Sequence, residues 1–258
     1  MSDPLNRYTQ QNRRAWNEIA AVRAQTFPPA EFYAQGGSSL HERVVQAAGH
    51  FAGKTVLHLQ CSTGEETLSW AVLGARATGV DISEEQVALA RQKAQSAGLD
   101  VCFCAADIYH LPAGVQSGEF DYVYTGGGAL VWLPDIWQWA RIVFDCLKPG
   151  GRLILYEIHP VMSCLWYEGD RLVVDSDYFG RHRPMEVSGW YHFRGGEQAR
   201  EIKYEFSWPL GDVVTAVAQA GLLIERLEEF PGGPSAPLAD FPQAAFLPAD
   251  FLLVAIRP

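Results

Sequence analysis

Apolar and polar positions fall into blocks that alternate between strand and helix spacing from Thr55 onward. The run TVLHL ends at Leu59, a short turn closes on Gly64, and a helix from Glu65 to Gly74 opens with two acidic residues that suit the positive end of the helix dipole. A second apolar run reaches Val80 and delivers Asp81 at its carboxyl end. The next helix is opened by Ser83 with Gln86 and closed by Gly98. VCFCA then runs into Ala106, Asp107 and Ile108, and FDYVYT ends in Gly126, Gly127 and Gly128. Ile136, Trp139, Ala140, Val143 and Leu147 lie at helical spacing until Lys148, Pro149, Gly150 and Gly151 stop that helix, and RLILYEI follows as the fifth strand. Such alternation implies a parallel sheet covered by helices on both faces.

The flanks differ. Residues 6–24 carry Tyr8, Ala15, Trp16, Ile19 and Val22 near one stripe, and Phe27-Pro28-Pro29 ends that helix. A second helix is expected to start at Ser39, where Ser39 and Glu42 read as a capping box and Gly49 as the stop. From about Val161 to Trp208 short alternating runs rich in Tyr, Trp, Phe, Arg and His predict a β-rich insertion. The helix DVVTAVAQAG, the strand LLIERLEEF, a Pro/Gly-rich loop and the strand FLLVAI complete the chain, the last two strands pairing antiparallel. The expected organisation is an N-terminal helical cap (1–50), an α/β core (51–160 and 209–258) and a β-rich cap insertion (161–208).

Composition narrows the partners. With 48% hydrophobic residues, 258 residues can bury a large core. The net charge of -10 and only four lysines remove the counterion-release attraction that drives nucleic-acid binding. No signal-peptide pattern and no run of eighteen apolar residues occurs, so a soluble, cytoplasmic protein without membrane contact is expected, as monomer or homodimer. Five cysteines without framework spacing suit a reducing compartment; Cys102 and Cys104 share one face of their strand and read as buried thiols.

Strand, turn, helix, strand and then an acid is the βαβ geometry that holds a nucleoside across strand ends, with the acid on the ribose hydroxyls. Four features in order then carry a resemblance: VLHLQCSTG ending at Gly64, GVDIS with Asp81, AADI with Asp107, and FDYVY followed by LKPGG. Over about two thirds of its length the chain resembles class I S-adenosylmethionine-dependent methyltransferases. The resemblance implies a Rossmann-like fold with a seven-stranded mixed sheet, S-adenosyl-L-methionine as cofactor, a turn beneath the methionine moiety, Asp81 on the ribose diol and Asp107 on the adenine amino group. Ile82, Ile108, Thr125 and Gly126 complete the expected cofactor set. The usual turn is an acid followed by three alternating glycines; here the positions read His58, Gln60, Ser62 and Gly64. His58 cannot supply the acid's charge and is either a packed, hydrogen-bonded histidine or a cofactor contact. Gln60 and Ser62 prevent the closest backbone approach, which argues against a dinucleotide and its pyrophosphate.

Methyl transfer needs positioning more than activation, and a hydroxyl or carbon acceptor also needs a base. Glu157 and His159, just after the fifth strand, are the expected catalytic residues. The acidic charge, and Tyr124-Thr125-Gly126-Gly127 in place of an Asp-Pro-Pro-Tyr motif, point to a small-molecule acceptor. Tyr8, Trp16, Tyr124, Gly127, His182, Trp190 and His192 are its expected contacts, from the cap and the end of the fourth strand. The alternatives are a nicotinamide-dependent oxidoreductase and a catalytically silent S-adenosylmethionine-binding protein.

Overall fold

A computed structural model describes residues 5–181, 183–190, 193–232 and 241–258. Three helices precede the sheet: α1 (Asn6–Ala24), α2 (Ala30–Ala34) and α3 (Glu42–Ala48). The expected second helix begins three residues late, because His41 rather than Ser39 caps it, its ring accepting from Arg43 N. Ser39 is engaged elsewhere: its N–H donates to Ser69 Oγ and its hydroxyl meets Tyr33. The short α2 follows Pro29, in the stretch read as a stop.

The core alternates β1 (Thr55–Leu59), α4 (Glu65–Val72), β2 (Arg76–Asp81), α5 (Glu84–Ala97), β3 (Cys102–Ala105), β4 (Phe120–Gly126), α6 (Ile136–Cys146) and β5 (Leu147–Ile158). Ser83 caps α5 by accepting from Gln86 N, and Gly98 ends it in the left-handed region. Beyond the insertion come α7 (Leu210–Gln219), β10 (Leu223–Pro231) and β11 (Pro248–Ile256). One seven-stranded sheet results, ordered β10-β11-β5-β4-β1-β2-β3, with β11 antiparallel to both neighbours and the other pairings parallel. Helix α6 ends at Cys146, ahead of the expected stop, and Lys148 to Gly151 lie inside β5; a Cβ on Gly151 would lie 2.8 Å from Phe120 O, so only glycine lets the two strands close there.

Alternation along each strand divides the core between the sheet's faces. Leu57, Leu59, Val123, Leu153 and Leu155 pack with Trp139, Val143, Val213 and Val217 of α6 and α7. Val56, Tyr122, Tyr124 and Ile154 face Val44 of α3 and Trp70 of α4. His58 therefore lies on the α4 face of the sheet.

The insertion is two separate two-stranded ribbons, β6 (Leu165–Glu168) with β7 (Arg171–Val174), and β8 (Met185–Val187) with β9 (Lys203–Glu205). The second reaches α1: Asn12 Nδ2 donates to Tyr204 O at 2.9 Å and Asn12 Oδ1 accepts from Tyr204 N at 2.7 Å. Cys102 is exposed and Cys104 half-buried, which corrects the reading of both as buried; all five cysteines are free. Among the described residues no helix is long and apolar enough to cross a membrane, and no cluster of His, Cys, Asp and Glu is placed to hold a metal.

Candidate active site

The turn after β1 keeps left-handed backbone at every second residue, with φ of 59° at Gln60, 52° at Ser62 and 85° at Gly64. Two of these lack the freedom of glycine, a conformation of order 1–3 kcal/mol per residue that neighbouring bonds must offset. Cys61 N donates to Val80 O, Ser62 N to Asp81 Oδ2, and Gly64 N to Cys61 O. Gln60 Nε2 reaches across to Ala129 O at 2.8 Å. Gly64 itself serves packing: a Cβ there would lie 2.9 Å from both Ala90 and the Phe103 ring. It sits behind the turn and does not line the cavity described next.

A cavity of about 760 Å³ opens at the carboxyl ends of the strands, under α1 and the β8–β9 ribbon. Of the expected cofactor residues, His58, Gln60, Ser62, Asp81, Ile82, Asp107, Ile108 and Gly126 line it; Gly64 and Thr125 do not. Asp81 is held by Ser62 N on one oxygen and Ser83 N on the other, and burial pushes its carboxyl up against those two donors. Each carboxylate oxygen accepts more than one hydrogen bond, so Asp81 keeps capacity for a ligand hydroxyl. Asp107 caps the turn Ile108–His110 by accepting from Tyr109 N at 3.0 Å.

Gly126, Gly127 and Gly128 line the floor between the strand ends. A Cβ on Gly126 would lie 2.6 Å from Tyr156 O. Glu157 anchors this loop from beneath, its Oε1 accepting from Ala129 N at 2.7 Å. Burial pushes Glu157 up to about 8, despite the loop N–H groups that hold it down, so it is mainly neutral at pH 7. Glu157 is 3% exposed and outside the lining, a positioning group for the loop rather than a base facing a substrate. His159 is likewise not on the cavity wall. Its Nδ1 accepts from Val161 N and its Nε2 lies 2.9 Å from Glu229 Oε1 on β10, because its residue leaves the sheet on the side of the terminal strands. Both expected catalytic residues thus fall outside the cavity lining.

At the opposite end, Trp16, Trp132, Trp190 and Phe193 form an aromatic wall, with Trp16 centroids 5.0 Å from Trp132 and 4.2 Å from Trp190. Glu205 lines this end too, its Oε1 3.4 Å from the ammonium of Lys203, which is 2% exposed, donates to Gly189 O and lies 4.8 Å from the Trp190 ring centre. Of the expected acceptor contacts, Trp16, Trp190 and Gly127 line the cavity. Tyr8 packs behind the wall on Tyr204 and Phe206, and Tyr124 is fully buried beneath α4. His182 and His192 lie outside the described residues. Trp166, Tyr167 and Phe179 of the insertion are exposed and away from the cavity.

Among the lining groups that escaped the sequence reading are Arg23, Glu66, Trp132 and Glu205. The helical stripe of α1 signals its buried face, and Arg23 joins the site from outside it by donating to Thr63 Oγ1 at 2.6 Å and Glu65 Oε2 at 3.1 Å. Glu66 was read as a helix-dipole partner, although its spacing from His58 puts it over the same strand end.

Residues 56–151 match a family model described as a methyltransferase domain. That segment is similar to the methyltransferase-domain family, and the chain has the class I S-adenosylmethionine-dependent methyltransferase fold. A ubiquinone biosynthesis O-methyltransferase of Bordetella pertussis is 34% identical over 108 residues, 42% of this chain and 44% of that protein. The matched segments span about half the length of such curated relatives. Among solved structures, an S-adenosylmethionine-dependent methyltransferase from Listeria monocytogenes aligns with a TM-score of 0.64 at 21% identity, over 84% of this chain and 97% of that one. The [4+2]-cyclase SpnF aligns with the same TM-score at 18% identity, over 97% and 96%. At these identities the solved structures establish the fold.

The methyltransferase cofactor can be tested against the residues present. Cys61, Ser62 and Gly64 spend their N–H groups on protein acceptors, and Asp81 adds negative charge beside them, so this turn offers no nest to a pyrophosphate. Two acids at successive strand ends suit hydroxyl and amino donors. Gln60 Oε1 is buried without a partner among the described residues, an acceptor still open at the turn. Adenosine with a cationic amino acid fits this donor and acceptor set; a dinucleotide does not.

Proposed function

We propose that the protein transfers a methyl group from S-adenosylmethionine to a small, largely apolar acceptor carrying a hydroxyl or amino group. One observation carries this: a single cavity joins the strand-end acids Asp81 and Asp107 to the tryptophan wall and Glu205 across the Gly126–Gly128 floor. When bound, the cofactor supplies an electrophilic methyl that needs a nucleophile held in line. Asp81 would hold the ribose and Asp107 the adenine amino group, with Ile82 and Ile108 flanking the base. The glycine floor, fixed by Glu157, shapes the space between donor and acceptor. Trp16, Trp132 and Trp190 bury the acceptor's apolar body and exclude water.

The charge at the acceptor end selects further. Glu205 is the lining carboxylate there, with its Lys203 partner buried behind it and off the cavity wall, and the lining guanidinium, Arg23, is committed to Glu65 and Thr63. A hydroxyl or amine donor is therefore favoured and a carboxylate acceptor disfavoured. Among lining side chains Glu205 is also the best placed to take a proton from such an acceptor. O-methylation agrees with the names of the curated relatives. The acidic net charge and the free cysteines suit a reducing, cytoplasmic setting.

The test supplies methyl-labelled S-adenosylmethionine with bicyclic aromatics that differ only in carrying a hydroxyl, an amine or a carboxylate. Label on the hydroxyl or amine compound is expected. Label on the carboxylate alone would overturn the acceptor class, and cofactor binding without transfer across a broad panel would favour a silent binding protein.

A further inference from the structure

We propose that Glu66, one helical turn above the strand end, supplies the negative charge that His58 cannot, and binds the ammonium of the cofactor's amino acid moiety. This takes as given that the cavity binds S-adenosylmethionine, as proposed above. His58 occupies the strand-end position and is 2% exposed, with Nδ1 2.8 Å from Thr67 Oγ1 and its ring packed on Tyr124. Its Nε2 has no hydrogen-bond partner among the described residues and lies 3.9 Å from Glu66 Oε2. The histidine thus fills the acid's place while the carboxylate comes from α4 beside it.

The neighbouring acids are already committed. Glu65 holds Arg23, Lys93 and Thr63, and Asp81 accepts from Ser62 N and Ser83 N and keeps its remaining capacity for the ribose. Glu66 lines the cavity and receives the Tyr124 hydroxyl on Oε1 at 2.9 Å, and no lysine or arginine among the described residues pairs with it. Its Oε2 is free to accept from a ligand. The unpartnered Gln60 Oε1, two residues beyond His58, supplies a second acceptor on the same wall. An ammonium carries three donors and no acceptor, which is the complement of this pair.

The groups facing Glu66 set how it titrates: His58 from β1, Tyr124 from β4, Glu157 from β5, Glu65 on its own helix and Arg23 from α1. Burial pushes Glu66 up to about 7, and burial pushes His58 down to about 3, so His58 is neutral and adds no charge. A cation bound at Glu66 favours the carboxylate. Binding near pH 7 therefore releases a proton, and affinity rises as pH rises through that range.

Calorimetry on the full chain, in two buffers of different ionisation enthalpy at pH 7, tests this with S-adenosylhomocysteine and with methylthioadenosine, which lacks the amino acid. Wild type should release a proton with the first ligand and none with the second. Glu66→Gln should weaken S-adenosylhomocysteine at least tenfold, abolish proton release and leave methylthioadenosine within twofold. Equal affinity and equal proton release in Glu66→Gln would overturn the assignment, as would equal loss of both ligands. If Glu66→Gln does not fold, Tyr124→Phe decides: loss of the hydroxyl donor should raise the midpoint of the pH dependence of affinity, and an unmoved midpoint would overturn it. Failure of wild type to bind either ligand would instead remove the cofactor proposal itself.

Discussion

The two ends of the cavity are built in different ways. At the cofactor end, His58, Gln60, Ser62, Asp81 and Asp107 all project from consecutive strand ends and turns, within fifty residues of sequence. Their backbone is fixed by the sheet, and Asp81 locks the turn by accepting from Ser62 N and Ser83 N. At the acceptor end the wall is assembled from Trp16 on α1, Trp132 after β4, and Trp190 and Glu205 near or on the β8–β9 ribbon. These are joined by side-chain packing and by bonds such as Asn12 to Tyr204 and Phe206 N to Val131 O. A site on strand ends is specified locally and varies little; one held by a cap can change its ligand without disturbing the sheet.

The largest expected effect falls on the rigid end. Asp81→Ala removes a ligand acceptor and leaves Ser62 N and Ser83 N unpaired, so cofactor affinity should fall on the order of 100-fold, about 2.7 kcal/mol. Calorimetric titration with S-adenosylhomocysteine measures it, and unchanged affinity would separate Asp81 from the site. Next, Glu157 and Glu66 have folded-state pKa values raised to about 8 and about 7, so the stability they confer is complete below about pH 4.5 and is lost as pH climbs towards those values. Glu157→Gln keeps an acceptor for Ala129 N but cannot ionise. Its thermal stability should therefore fall less than that of wild type between pH 5 and 7, by about 2.5 kcal/mol, and parallel curves would show that Glu157 does not carry the buried proton.

A smaller effect is expected at the capped end. Trp16→Ala should lower stability by about 1–2 kcal/mol through lost packing against Trp132 and Trp190, while changing S-adenosylhomocysteine affinity less than twofold. A large loss of cofactor affinity would mean that the ends are not separable. Smallest of all, His159→Ala should leave turnover within twofold, because the ring pairs with Glu229 away from the cavity. A rate lost with cofactor binding intact would return His159 to the mechanism.

The same division governs what could be read from sequence. Strand and helix periods gave the order of elements, and acids at strand ends gave Asp81 and Asp107, because those signals are local. The start of α3 was misread because Ser39 satisfies its hydroxyl with Tyr33, from outside the helix it was assigned to. Glu157 and His159 are adjacent to the right strand end, yet Glu157 is buried beneath the glycine loop, and His159, one residue past the end of β5, meets Glu229 on β10. Glu205 and Trp132 had no local signal at all; tertiary contacts between distant segments bring them to the cavity.

The central claim is that the cavity is a site for adenosylated methionine. Thermal unfolding of the full chain with S-adenosylmethionine, S-adenosylhomocysteine and NADPH, each near 100 times a micromolar dissociation constant, tests it most directly. A saturating ligand adds about 2.7 kcal/mol, or roughly 5–10 °C for a chain of this size. Stabilisation by the first two ligands and not by NADPH is the predicted result; stabilisation by NADPH alone would contradict it.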